Sequence, residues 1–539
     1  MIRENYFSNV RFCILVILLA SIILNPTLTK ALQKSKAAGI FDVYDYAAKG
    51  DGNTLDTKAI QAAIDDCTKK GGGKVYLHSG TFLSGTIYLK ENVTLYIEAG
   101  ATLLGSKNLD DYPVTIPEYR SYTDNYTIRS LIYAEKKENI TIAGRGTING
   151  QGESFKNPKL NRLPYKKRPY LMRIIQCSNV MVKNITIRNS PMWVQHYLAC
   201  DNVVIDGVTV HSVVNNNNDG INIDSCQNMR ISNCNIRSGD DAIVFKSTSD
   251  RPCKNVTVTN CVISTNCNAF KTGTESNGGF ENITISNCTV YDTRLSGIAL
   301  ELVDGGKFDK ITVSNINMKN VGSAVFVRLG NRARPFKNDQ PKPAMGSMQN
   351  IIISNIHATG VGNIGGSITG LPGRLVQNIT LQNISIKYKG GGTAEQALAN
   401  IPEKPENYPE FKMFGPLPAY GLFCRHIKNL KMHNIQMEFE KDDLRPALIF
   451  DDVKDLDIFS FDAESTPDTI ALVWLKNVDG AFIHGCRPRK TDTTFLKVTG
   501  DKSKDIALMN NDFSRVKKVL NKDKEINEMT VYLTNNRTK

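Results

Sequence analysis

Asp219-Gly220-Ile221-Asn222-Ile223-Asp224 and, 22 residues on, Asp241-Ala242-Ile243-Val244-Phe245-Lys246 decide the fold. The same shape returns at Asn268-Ala269-Phe270-Lys271-Thr272-Gly273 and at Ser296-Gly297-Ile298-Ala299-Leu300-Glu301, after 27 and 28 residues. Each stretch is a turn followed by an alternation of apolar and polar side chains, which is the pattern of a strand and not of a helix. A unit of this length cannot bury its apolar face alone. It reads as one coil of a solenoid that stacks on its neighbours.

A second string runs in step with the first. Ile231-Ser232-Asn233-Cys234, Val258-Thr259-Asn260-Cys261, Ile285-Ser286-Asn287-Cys288 and Val313-Ser314-Asn315-Ile316 recur at 27, 27 and 28 residues. Related strings follow at Ile353-Ser354-Asn355-Ile356, Leu381-Gln382-Asn383-Ile384 and Met432-His433-Asn434-Ile435. The repeated Asn reads as a ladder of stacked amides that satisfies buried turn groups. The Asn-x-Ser/Thr strings it creates are weak signs of glycosylation. Cys234, Cys261 and Cys288 read as a stacked structural column, because they lack metal-site spacing.

The sequence thus predicts an all-β chain, a parallel β-helix with an N-terminal capping helix. Asp56 or Thr57 N-caps that helix, Ile60, Ala63, Ile64 and Cys67 share its apolar face, and Gly71-Gly72-Gly73 ends it. Residues 32–539 read as a single catalytic domain, with regular coils over about 85–440 and less regular ones over 441–539. Three stretches break the period: 155–169, 330–346 and 389–419. They read as long lateral loops, the usual carriers of binding residues.

At the N-terminus, Arg3 and Arg11 precede an apolar run from Phe12 to Leu24. The run has the length of a secretory h-region and is short for a membrane span, so residues 1–31 read as a signal peptide. An uncleaved anchor is the alternative. The expected location is secreted or periplasmic, with no membrane span after signal removal. The net charge of +13 stays positive without residues 1–31. An exported basic protein suggests an anionic partner. Zinc-finger, RNP and basic-helix patterns are absent, which argues against nucleic acid. An acidic plant-type polysaccharide or its oligosaccharides fits better, and the chain is expected to act as a monomer.

The chemistry lies in the first two stretches. Stacked coils sit about 4.8 Å apart, so Asp219 and the pair Asp240-Asp241 fall in one patch. Three neighbouring carboxylates cannot all ionise freely, and at least one must hold its proton at a higher pH. A protonated carboxyl can serve a leaving oxygen while ionised partners activate water, as inverting glycoside hydrolysis requires. Outward alternation places Asp224, Lys246 and Glu301 in one row with Lys271 beside it, a candidate sugar contact. Trp193 and His196, a coil earlier, are candidates for a subsite wall.

These residues carry a resemblance. Ala48 to Gln61, Arg168-Pro169-Tyr170-Leu171, Asn189 to His196, Asn217-Asn218-Asp219-Gly220-Ile221 and Gly239-Asp240-Asp241-Ala242-Ile243 are similar to glycoside hydrolase family 28, the polygalacturonase and rhamnogalacturonase family. The resemblance implies a right-handed β-helix, Asp240 as general acid, Asp219 and Asp241 positioning water, and Asn217 beside them as a substrate contact. It implies no cofactor and no metal. Two family motifs are missing. Asn268, a candidate substrate contact, stands where the His of Gly-His-Gly would be, and Ala299-Leu300-Glu301 replaces Arg-Ile-Lys, the usual grip on a substrate carboxylate. A rhamnogalacturonan-like or substituted galacturonide is therefore expected over plain polygalacturonan, and the long loops suggest exo action. The rivals are a polysaccharide lyase on the same fold and a non-catalytic glycan-binding β-helix.

Overall fold

The computed structural model describes residues 39–157, 159, 163–524 and 526–538. The expected signal peptide, residues 1–31, lies outside the described residues. The chain winds as a right-handed parallel β-helix. Each coil supplies three strands, as in Ile221–Asp224, Gln227–Ser232 and Asn235–Ser238. The next coil repeats them as Ile243–Ser247, Cys253–Thr259 and Val262–Thr265, paired in parallel and in register.

The alternation read from the sequence sets this arrangement. Ile221, Ile223, Ile243 and Phe245 point inward and are fully buried. The core runs without a break from Phe41 to Val531. Beyond residue 440 the coils were expected to lose regularity. They keep parallel pairing instead, from Leu448–Ala463 to Val531–Thr534, with one register shift between Thr491 and Thr494.

The capping helix spans Thr57–Lys69 and buries Ile60, Ala63, Ile64 and Cys67. Asp56 stands at its N-cap without making the side-chain cap bond. Its carboxylate accepts instead from the backbone N–H groups of Lys49 (2.7 Å) and Gly50 (2.9 Å), tying down the preceding turn. Among the described residues no helix is long and apolar enough to cross a membrane.

The Asn ladder has a different cause from the one expected. Asn233, Asn260, Asn287 and Asn315 all have φ between 54° and 57°. That is the left-handed region, which Asn tolerates better than other side chains with a Cβ. These side chains are exposed and do not serve buried groups. Their amides still link the coils: Asn315 donates to Asn287 (2.9 Å), Asn355 to Asn315 (2.8 Å) and Asn383 to Asn355 (2.9 Å). Cys234, Cys261 and Cys288 do form a buried column of free thiols, with the Cys261 N–H donating to Cys288 Sγ at 3.4 Å.

Candidate active site

Asp219 precedes the strand Ile221–Asp224, and Asp240-Asp241 precede its stacked partner Ile243–Ser247. The Gly220 N–H donates to the Asp241 carbonyl at 2.9 Å, so the two turns lie directly against each other. Asp240 and Asp241 offer carboxylate oxygens within 4.8 Å of one another and of Cys267 Sγ. All three acids line a cavity of about 350 Å³.

The three acids sit in different surroundings. Asp241 Oδ1 accepts from the backbone N–H (3.2 Å) and side-chain amide (2.9 Å) of Asn268, and its Oδ2 lies 3.2 Å from Lys271 Nζ. Burial alone would raise Asp241, but Lys271 and Lys246 outweigh it and hold the carboxyl below its ordinary range. Burial and the charge of Asp241 push Asp240 up. Burial and then Asp240 push Asp219 well up, although Lys246 Nζ lies 3.9 Å away. The cluster therefore holds Asp241 ionised while Asp219 and Asp240 compete for a proton, and its titration belongs to the group as a whole.

Arg168, fully buried, braces this arrangement. It donates to the Asn216 carbonyl (2.6 Å) and to Asn217 Oδ1 (3.0 Å), and Asn217 Nδ2 donates to Asp240 Oδ2 (3.3 Å). Of the residues expected to contact substrate, Asn217, Trp193 and Lys246 line the cavity. Lys246 Nζ sits 4.8 Å from the centre of the Trp193 ring and 3.4 Å from Glu275. Burial would lower the Lys246 pKa, but Glu275 and Asp219 raise it, so the amine stays charged.

Four other expected contacts lie behind the wall. His196, Asn268 and Glu301 are fully buried and Lys271 is 2% exposed; none of them lines the cavity. His196 Nε2 lies 3.1 Å from Asp224, and its ring supports Trp193 edge-on at 5.1 Å. The row expected to run Asp224, Lys246, Glu301 is broken. Asp224 and Lys246 are register partners, but the register shifts between Phe245 and Ser247, which pair with Thr272 and Ser276. The extra residues of that shift bring Glu275 beside Lys246, and Glu301 faces Lys271 instead, at 3.9 Å.

The sequence reading missed much of the wall. Tyr122, Tyr126, Tyr165, Glu275, Arg332, Arg334 and Tyr408 all line the cavity. Arg332 pairs with the buried Asp304, and Arg334 donates to Glu275 Oε1 (2.6 Å) while stacking on Tyr122 at 3.8 Å. Burial would raise Glu275, but Lys246, Arg334 and Arg332 hold it well below the usual carboxylate range. Cations are thus present although Arg-Ile-Lys is absent: they arrive from the 330–346 loop, whose richness in Arg and Lys was the available signal. Tyr165 and Tyr408 come from the other two loops. Tyr122 and Tyr126 come from a fourth excursion, between Thr102–Gly105 and Ser130–Glu135.

A family model described as "Glycosyl hydrolases family 28" matches residues 67–406, more than half of the chain. The chain belongs to this family. It is 37% identical over 221 residues to a probable polygalacturonase of Vitis vinifera, covering 38% of this chain and 44% of that protein. It is 32% identical over 267 residues to an exo-poly-alpha-D-galacturonosidase of Dickeya chrysanthemi, covering 41% and 43%. The chain thus spans less than half the length of these relatives. A solved exopolygalacturonase from Thermotoga maritima shares the fold, with a TM-score of 0.58 at 22% identity over 74% of this chain and 91% of that one.

Proposed function

We propose that this family 28 chain is an exported, exo-acting glycoside hydrolase of pectic galacturonides, working by inversion. The observation that carries the reading is the split within the acid cluster. Asp241 is held ionised by Asn268 and Lys271, while the neighbouring Asp240 is driven toward its protonated form. Asp240 gives its proton to the leaving glycosidic oxygen; Asp219 and Asp241 position the attacking water, and the ionised Asp241 takes its proton. This division of labour separates an acid from a base by environment, as paired catalytic carboxylates do elsewhere.

Lys246, Arg332 and Arg334 support an anionic sugar in the cavity, and Trp193 and the tyrosines offer apolar faces for its ring. With those cations present, the argument for a substituted galacturonide loses its basis, and a plain galacturonide chain end fits the cavity chemistry better. The exo reading is supported by walls drawn from four excursions and by the printed name of the Dickeya relative. In this reading the solenoid acts as one catalytic unit.

Digestion of a trigalacturonate followed by NMR tests the proposal. The expected outcome is release of saturated monomer from one end. Unsaturated products absorbing in the ultraviolet would replace hydrolysis by a lyase reaction, and binding without turnover would make the protein a glycan-binding solenoid.

A further inference from the structure

Lys271 was expected to touch sugar, and its placement gives it another task. The side chain is 2% exposed and lies behind the cavity wall. Its ammonium has three neighbours: Asp241 Oδ2 at 3.2 Å, the Tyr408 hydroxyl at 3.1 Å and Glu301 Oε2 at 3.9 Å. With Asn268 on Oδ1, both oxygens of Asp241 are tied from the coil above. We propose that Lys271 is a positioning residue that locks the Asp241 carboxylate as the base of the cluster, with Tyr408 as its lid. The inference rests on the acid/base reading given above.

Glu301 makes the clamp one-sided. It is fully buried, and among the described residues no hydrogen bond reaches either of its oxygens. Burial pushes this carboxyl well above the usual range, and Lys271 counteracts that only in part. Lys271 Nζ lies nearer to Asp241 (3.2 Å) than to Glu301 (3.9 Å), so its charge acts mainly on Asp241. Lys271 donates to the hydroxyl of Tyr408, which stands on the 389–419 loop with 56% of its surface exposed. The loop thereby reaches the base through Lys271. Glu410, from the same loop, approaches Asn268 Nδ2 at 3.5 Å, so both residues that tie Asp241 are met by this loop.

The other charged and titratable groups around Asp241 are Asp219, Asp240, Lys246 and Tyr408 on the cavity side, Cys267 beside them, and Glu301 and Glu410 away from the cavity lining. Of the two cations, Lys271 has the stronger effect on Asp241. An opposite charge at such a distance lowers a carboxyl by about 1 to 3 units.

The test is the pH profile of kcat/KM on a galacturonate oligomer for wild type, Lys271→Met, Lys271→Arg and Tyr408→Phe. In Lys271→Met the acid-side limb is expected to move up by about 1 to 3 units, kcat to fall below that limb and KM to stay. Lys271→Arg is expected to restore the limb. Tyr408→Phe keeps an exposed ring in place, so it reports even if Lys271→Met does not fold; its limb is expected to move in the same direction by a smaller step. A limb unmoved in every folded variant, or a raised KM with kcat and limb intact, overturns the positioning role. A wild type that turns over no galacturonide overturns the acid/base reading itself.

Discussion

Replacing Arg334 by Met should remove the preference for a free carboxylate on the substrate. Arg334 sits over the Tyr122 ring, 3.8 Å from its centre, and reaches Glu275, which fixes the guanidinium at the cavity edge with 28% of its side chain exposed. A guanidinium has five donors, so contact with Glu275 leaves others for a sugar carboxylate. A hydrogen bond to a charged group contributes about 1.5 to 3 kcal/mol. Partial exposure argues for the lower part of that range, about 1.5 to 2 kcal/mol or a factor of roughly 10 to 30. Met keeps an unbranched apolar stem against the Tyr122 ring, so packing is largely preserved. The assay is kcat/KM on a galacturonate oligomer and on its methyl ester. The acid should lose roughly 10- to 30-fold and the ester little. An equal loss on both would assign Arg334 a purely structural role, and no loss on either would remove it from the substrate.

The pH dependence follows from the signs of the shifts. Asp241 must be ionised and lies below its ordinary value of 3.8, so activity should rise as the pH climbs through an unusually acidic limb. The proton held between Asp219 and Asp240 survives above 3.8, so activity should fall as the pH climbs through that raised value. A bell with an acidic optimum is expected. An ascending limb in the lysine range near about 10, with activity rising as the amine loses its proton, would point to a Lys base and a lyase. The ladder makes a stability prediction. Asn315 has φ of 56°, and Asn315→Ala should cost about 1 to 2 kcal/mol for the left-handed backbone, most of which Asn315→Gly should recover. Urea midpoints check it, and equal losses in the two variants would refute the backbone argument.

The coils were legible because burial imposes a strict period on the sequence. Ile221, Ile223, Ile243 and Phe245 repeat in step with the strands, and the acids at the preceding turns inherit that register. The loop contributions were not legible. Arg332, Arg334 and Tyr408 reach the site across long excursions, and periodicity says nothing about where such a loop lands. Strict alternation also misplaced Glu301. The register shift after Phe245 is a local backbone feature that brought Glu275 to Lys246 instead. Outward direction was mistaken for exposure as well. His196 and Lys271 point away from the core, yet they are buried between the sheet and the chain that covers it.

The central claim is that Asp240 hands a proton to the leaving oxygen. Asp240→Asn tests it most directly when assayed on two substrates, a galacturonate oligosaccharide and an aryl galacturonide whose nitrophenolate departs without protonation. Loss of a general acid should cost the oligosaccharide a factor of about 10² to 10⁴, while the aryl substrate keeps most of its rate. Equal losses on both substrates, or an unchanged rate on the oligosaccharide, would contradict the assignment.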